Sequence, residues 1–346
     1  MRKNSGIARL VCVFAICIAL IGYNAYSFCF KGRTAKNVIT QNPVQEETSS
    51  EEENEKEKEK VQREDTLSSQ EETESAPAST DGSVKGKVIS RYISPYSAGL
   101  SYNGVYMKNS TDLEINIKEL LSAPLGFKIA KNDSPQVLIV HTHTTETYMT
   151  EDADYYTSAF SSRTRDAQKN MVSVGNIVAE KLNQAGIKTL HDATEHDYPN
   201  YTGSYSRAAK TINGYLKKYP TIKVVLDLHR DAVSSGDSDK VKLVTEINGK
   251  KAAQVMLVMG SQSGSVTNFP KWKENLKLAV RLQQKIEEKY PTLARPLSLM
   301  PKNYNESLTT GSLLIEFGTD VNTLSEAHYS AELVGNAIAE LLGGLT

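Results

Sequence analysis

"QVLIVHTHTTETY" (Gln136–Tyr148) fixes the fold class. Its first part, Val137–Val140, is apolar at every position, with no polar residue at alternate sites. A strand of that kind is buried on both faces, as in a parallel sheet covered by helices. Two later runs have the same character: "IKVVLDLH" (Ile222–His229) and the apolar stretch Ser312–Phe317. Segments with helical spacing lie between them. Over Arg165–Gly186, Met171, Val174, Val178 and Leu182 fall on one face, and Gly186 stops the helix. Further helices are predicted over Ser204–Tyr219, Pro270–Tyr290 and Ser325–Leu342, the first two ended by Pro220 and Pro291. Short strands are predicted at Ile187–Leu190 and Ala294–Leu299, and "VKLVTEINGKKAAQVMLVMG" reads as a hairpin turning at Asn248-Gly249. The alternation predicts an α/β fold with a mostly parallel sheet flanked by helices.

Composition divides the rest of the chain. Residues 1–33 are apolar between basic flanks, and Leu10–Phe30 is long enough to span a bilayer. With no A-x-A site after it, this segment reads as an uncleaved transmembrane anchor rather than a removed signal peptide, its basic tip cytoplasmic and the remainder extracytoplasmic. Residues 34–85 hold "EETSSEEENEKEKEKVQREDTLSSQEETESAPAST" (Glu46–Thr80), too polar to repay the entropy of ordering, so a disordered acidic spacer is expected. Residues 87–131 carry short strands in "KVISRYISPYSAG" and "GVYMKN", then a strand or short helix in "DLEINIKELLSAP". Residues 132–346 form the expected catalytic domain. The three cysteines, Cys12, Cys17 and Cys29, all lie in or beside the apolar segment, so the globular part uses neither disulfide nor thiolate metal site. Lys and Arg number 40 against 41 Asp and Glu, with no basic stripe, which argues against nucleic acid as a partner.

The chemistry gathers where ligands bind in open α/β sheets, at strand carboxyl ends. His141, His143 and Glu146 follow the first run. His229, Arg230 and Asp231 close "VVLDLHRDA", and Glu316 stands in "SLLIEFGTD". Two histidines and a lone carboxylate in apolar company point to a metallohydrolase, in which three N/O ligands leave a fourth position open. A nearby glutamate then moves the protons. His141 is a fourth ligand or a hydrogen-bonding support. Arg230 pairs with an acid or grips a substrate carboxylate. His191 and His196 read as solvated loop residues, and His328 as an ordinary helix residue. Tyrosines at 148, 155, 156, 198, 201 and 205 line a glycan groove or pack loops. The absence of G-x-S-x-G argues against serine catalysis.

"VLIVHTHTTETY", "VVLDLHRDA", "LLIEFGTDVNT" and the "KNST" around Asn109 together resemble the stage II sporulation protein P family of sporulation cell-wall hydrolases. The catalytic part is also similar to zinc-dependent N-acetylmuramoyl-L-alanine amidases. The resemblance implies zinc as cofactor, His143 and His229 as ligands and Glu316 as the catalytic carboxylate. Asp166, in "DAQKNM", matches the carboxylate ligand, with Glu146 its rival. It further implies a peptidoglycan substrate, endopeptidase activity on crosslinks, a role in engulfment, and partnership with stage II sporulation protein D and a membrane protein of the same complex. The alternative is a non-catalytic peptidoglycan-binding module that recruits another hydrolase.

Overall fold

The computed structural model describes residues 82–346. The anchor expected over residues 1–33 and all but the end of the spacer expected over 34–85 lie outside the described residues. In chain order the elements are β1 (Val84–Arg91), β2 (Leu100–Tyr102), β3 (Val105–Asn109), α1 (Ile117–Ser122), β4 (Val137–Val140), β5 (Tyr155–Thr157), α2 (Met171–Gln184), β6 (Thr189–His191), α3 (Ser204–Lys218), β7 (Val224–Asp231), β8 (Ser234–Ser235), β9 (Asp239–Ile247), β10 (Lys250–Ala253), β11 (Val255–Gly260), α4 (Trp272–Lys289), β12 (Leu297–Met300), β13 (Ser312–Thr319) and α5 (Leu324–Gly343). β1 therefore begins inside the last residues expected of the spacer.

The main sheet runs β2-β3-β12-β11-β13-β7-β4-β6. β13, β7, β4 and β6 are mutually parallel, as the apolar runs predict. Antiparallel pairings of β2 with β3 and of β11 with β13 make the whole sheet mixed. A second sheet, β10-β9-β1-β5 with β8 on β9, was not legible in the sequence. The reason is Gln254. It is fully buried, and its side-chain amide donates to the carbonyls of Ile93 and Thr292 at 3.0 Å each. It breaks the expected hairpin in two: β9 and β10 stay paired around Asn248-Gly249, and β11 leaves for the main sheet.

The alternation of side chains along each strand divides the core. Val137, Ile139, Val224, Leu226, Leu228, Leu313, Ile315 and Phe317 pack with the buried faces of α2, α4 and α5. Burial of each large side chain contributes about 1.5–3 kcal/mol. Leu138, Val140 and Val225 face the other way, against Ile212 of α3 and Ile222. Asp227 and His229 continue that second face by parity. Glu316 joins them, because the parallel register pairs it with His229 and pairs Leu314 with Asp227. The sheet itself thus aligns one histidine and two carboxylates.

Helix ends follow local chemistry. α5 opens on a capping box, Thr323 accepting from the Glu326 N–H while Glu326 accepts from Thr323. α2 starts at Met171 rather than Arg165, because Asn170 adopts extended backbone and its side chain caps the Val172 N–H at 3.0 Å. Residues 166–170 instead form a turn closed from Asn170 N–H to the Asp166 carbonyl at 3.1 Å.

Candidate active site

The chain leaving β4 is folded back over the face that carries Asp227 and His229. Asp227 accepts from the Thr142 N–H at 2.8 Å and the Thr142 hydroxyl at 2.6 Å. A turn closed by the Glu146 N–H on the His143 carbonyl, at 3.2 Å, then presents both side chains to that face. The rings of His143 and His229 meet edge to face with centroids 5.2 Å apart. Glu146 Oε2 lies 3.7 Å from His229 Nδ1 and accepts from the Arg230 N–H at 3.1 Å. Asp227 Oδ1 stands 3.0 Å from His229 Nε2, close enough for an ion pair but off the line of a hydrogen bond. Tyr201 stacks on His143 at 4.5 Å, with its hydroxyl 3.2 Å from Nε2.

Burial sets the charges. It pulls the His143 imidazole well below its usual range, and the neighbouring His229 adds to the effect. Burial also opposes charge on His229, but Asp227 and Glu146 outweigh it and raise His229 to about 10. The Glu316 carboxyl is pushed up to about 8, chiefly by burial, with His229 opposing. One imidazole is therefore neutral and ready to donate a lone pair, and one glutamate is poised near neutrality.

His143, His229 and Glu146 are brought together, and Glu316 is the immediate neighbour of His229 across the strand pair. Asp166 is not with them. Its side chain is 41% exposed and pairs with Lys169 at 3.1 Å, because the turn before α2 aims it at solvent. Its pKa is lowered, first by the Gln168 N–H and then by Lys169. Glu146, its rival in the sequence, lies beside His229 instead. Arg230 is 2% exposed; it donates to the Ser162 carbonyl at 3.0 Å and lies 3.9 Å from Glu146, the placement of a carboxylate partner. Among the described residues no three His, Cys, Asp or Glu groups are arranged closely enough to enclose an ion. The donor set nevertheless suits zinc in kind: two imidazoles and a carboxylate, with His143 Nδ1 and Glu316 Oε2 buried and without hydrogen-bond partners.

His141 has both ring nitrogens engaged. Its Nδ1 faces the Leu228 carbonyl at 2.9 Å and its Nε2 faces His191 Nε2 at 2.8 Å. His191 and His196 are not solvated as expected. His191 closes that pair, and His196 is buried between the His141 carbonyl and Thr211, at 2.8 Å to each. His328 meets Ser173 at 2.9 Å. Two site residues were missed. Asp227 gave the same signal as Glu316: an acid in an apolar strand, here two positions before His229 and so on its face. Asp197 gave none. It accepts from the Thr145 hydroxyl at 2.7 Å and from Arg163 at 2.6 Å, contacts made only by the tertiary fold.

The sequence profile of the family described as Stage II sporulation protein P (SpoIIP) matches residues 17–339. The stage II sporulation protein P of Bacillus subtilis (strain 168) is 28% identical over 252 residues, covering 66% of this chain. The chain spans 58% of the length of that curated relative. Among solved structures, the CwlD amidase of Clostridioides difficile, solved in complex with the GerS lipoprotein, is similar at a TM-score of 0.38 and 9% identity, covering 60% of this chain and 98% of that one. The apo N-acetylmuramyl-L-alanine amidase Ami1 of Mycobacterium abscessus is similar at 0.35 and 11%, covering 60% and 99%. At those scores the two likenesses have no bearing on the site.

Proposed function

The chain belongs to the stage II sporulation protein P family, and from that membership and the chemistry of its site we propose a zinc-dependent peptidoglycan hydrolase, an N-acetylmuramoyl-L-alanine amidase of sporulation. The observation that carries the reading is the convergence of His143, His229 and Glu146 beside Glu316, from three separated stretches of chain. His143, His229 and Glu146 would hold the zinc, His229 giving up the proton that Asp227 and Glu146 otherwise favour, and the metal when bound would supply Lewis acidity to an amide carbonyl and to water. Asp227, 3.0 Å from the His229 ring nitrogen opposite Glu146, supports that ring by its charge. The Tyr201 hydroxyl engages His143 Nε2 at 3.2 Å and leaves Nδ1 to the metal. Arg230 and Arg163, each 3.9 Å from Glu146, hold its carboxylate in place. Glu316 takes a proton from the attacking water and returns it to the departing amine, a role suited to a carboxyl raised towards neutrality by burial.

A membrane anchor over residues 1–33 would place this activity outside the cytoplasm, on the cell wall, with a role in engulfment during sporulation. The expected partners there are stage II sporulation protein D and a membrane protein of the same complex, as the family resemblance implies. The test is release of peptide from isolated sacculi by the purified full chain, with and without a chelator. Chelator-sensitive release supports the reading. Binding without release in either condition overturns it in favour of a wall-binding module.

A further inference from the structure

The segment from His196 to Gly203 has no regular structure, yet it is tied down along its length. Asp197 is gripped by Thr145 and Arg163. Arg207 reaches back from α3 to donate to the carbonyls of His196 at 2.6 Å, Thr202 at 3.1 Å and Asn200. His196 is buried between His141 and Thr211. Two tyrosines ride on this fixed segment, and each carries an arginine. The Arg163 guanidinium lies 4.7 Å from the Tyr201 ring, which also stacks on His143. The Arg165 guanidinium lies 4.1 Å from the Tyr198 ring and is itself held by Glu195 at 2.7 Å. Arg163 and Arg165 alternate along one stretch of chain, the first over Tyr201 beside the buried histidine and the second over Tyr198, which is 48% exposed.

Tyr198 is one of several exposed tyrosines, but its backbone is pinned and an arginine lies over its ring. With Arg165 over it, the Tyr198 ring stays 48% exposed and so within reach of a ligand. The electron-rich face of an aromatic ring suits a surface of weakly positive C–H groups. A pyranose has such a face and a rim of hydroxyls, which the Arg165 guanidinium and the Glu195 carboxylate can hydrogen-bond. Little ordering remains to be done on binding, since the segment is already fixed. We propose that Tyr198, backed by Arg165, is a saccharide-stacking subsite that takes a hexosamine ring of the glycan strand beside the scissile amide; the assignment rests on the peptidoglycan reading above.

The test measures binding of the full chain to glycan strands stripped of stem peptides, so it does not depend on hydrolysis. Tyr198→Ala should weaken binding about tenfold, the worth of roughly one stacked ring, while Tyr198→Phe stays within about twofold. Tyr198→Leu keeps the bulk without the π face and should lose as much as alanine, which separates stacking from loop collapse. Failure of the wild type to bind stripped glycan, or wild-type binding by the alanine or leucine variant, overturns the subsite. So does a Tyr198 dependence seen with free stem peptide and not with glycan. Glycan binding without peptide release from sacculi would sink the hydrolase reading alone. Release without glycan binding would sink the subsite alone.

Discussion

Gly175, in the middle of α2, tests how the site is supported. A β-carbon there would lie 2.5 Å from His191 Nε2 and 2.7 Å from His141 Nε2. Those two nitrogens are already 2.8 Å apart, and the other nitrogen of each ring is engaged, by Leu228 at 2.9 Å and Asn176 at 3.0 Å. Neither ring is the free end of a flexible chain, so neither moves cheaply. Exchanging glycine for alanine in a helix gains about 1 kcal/mol. Against this stand about 1–3 kcal/mol for overpacking and about 1–3 kcal/mol for a buried nitrogen left without its partner. Gly175→Ala should therefore destabilise the protein by about 1–5 kcal/mol, the difference between those terms. Gly214 in α3 is the control: nothing lies within 4 Å of its would-be β-carbon, and Gly214→Ala should stabilise by about 1 kcal/mol. Urea unfolding of both variants, read as a shift in midpoint at constant slope, decides the matter. If Gly175→Ala gains stability as Gly214→Ala does, the His141–His191 contact does not constrain this helix and the reasoning fails.

Glu316→Gln should keep the bound metal and lower the rate of peptide release about 10²–10⁴-fold, the worth of a general acid–base group; loss of metal in that variant would make Glu316 a ligand instead. Asp152 is held down to about 2 by Lys242 and then Lys251. A lowered carboxyl stabilises the fold above its unfolded pKa, and that contribution fades as pH falls from about 4 through about 2. Because the Asp152 side chain is 49% exposed, solvent screens the pair and Asp152→Asn should cost less than about 1 kcal/mol at pH 7. The variant should flatten the acid limb of a stability–pH curve, and superimposable acid limbs would refute the pairing.

What the sequence made legible, and what it did not, follows from the range of the interactions. The apolar runs at Val137–Val140, Ile222–His229 and Ser312–Phe317 signal parallel strands because burial on both faces leaves no polar alternation. The same runs mark Glu316 as anomalous, since a carboxylate in such company requires a reason. Asp227 was equally anomalous, and parity with His229 should have singled it out. The choice between Asp166 and Glu146 was not available from spacing, because it depends on the turn that Asn170 imposes before α2. The second sheet was hidden for a related reason: Gln254 directs β11 away from β10 through contacts with Ile93 and Thr292, far away in sequence. His191 and His196 read as loop residues because only the tertiary fold brings His141 to them.

The most direct test of the central claim is the zinc content per chain of the wild type and of His143→Ala, Glu146→Gln and Asp166→Ala after identical purification. Glu146→Gln is chosen because the amide oxygen can still accept from the Arg230 N–H while the charge is gone. The account predicts about one zinc in the wild type and in Asp166→Ala, and loss of metal in His143→Ala and Glu146→Gln, as expected of a site with three protein ligands. Retention of zinc by Glu146→Gln together with its loss from Asp166→Ala, or a wild type that binds none, would contradict it.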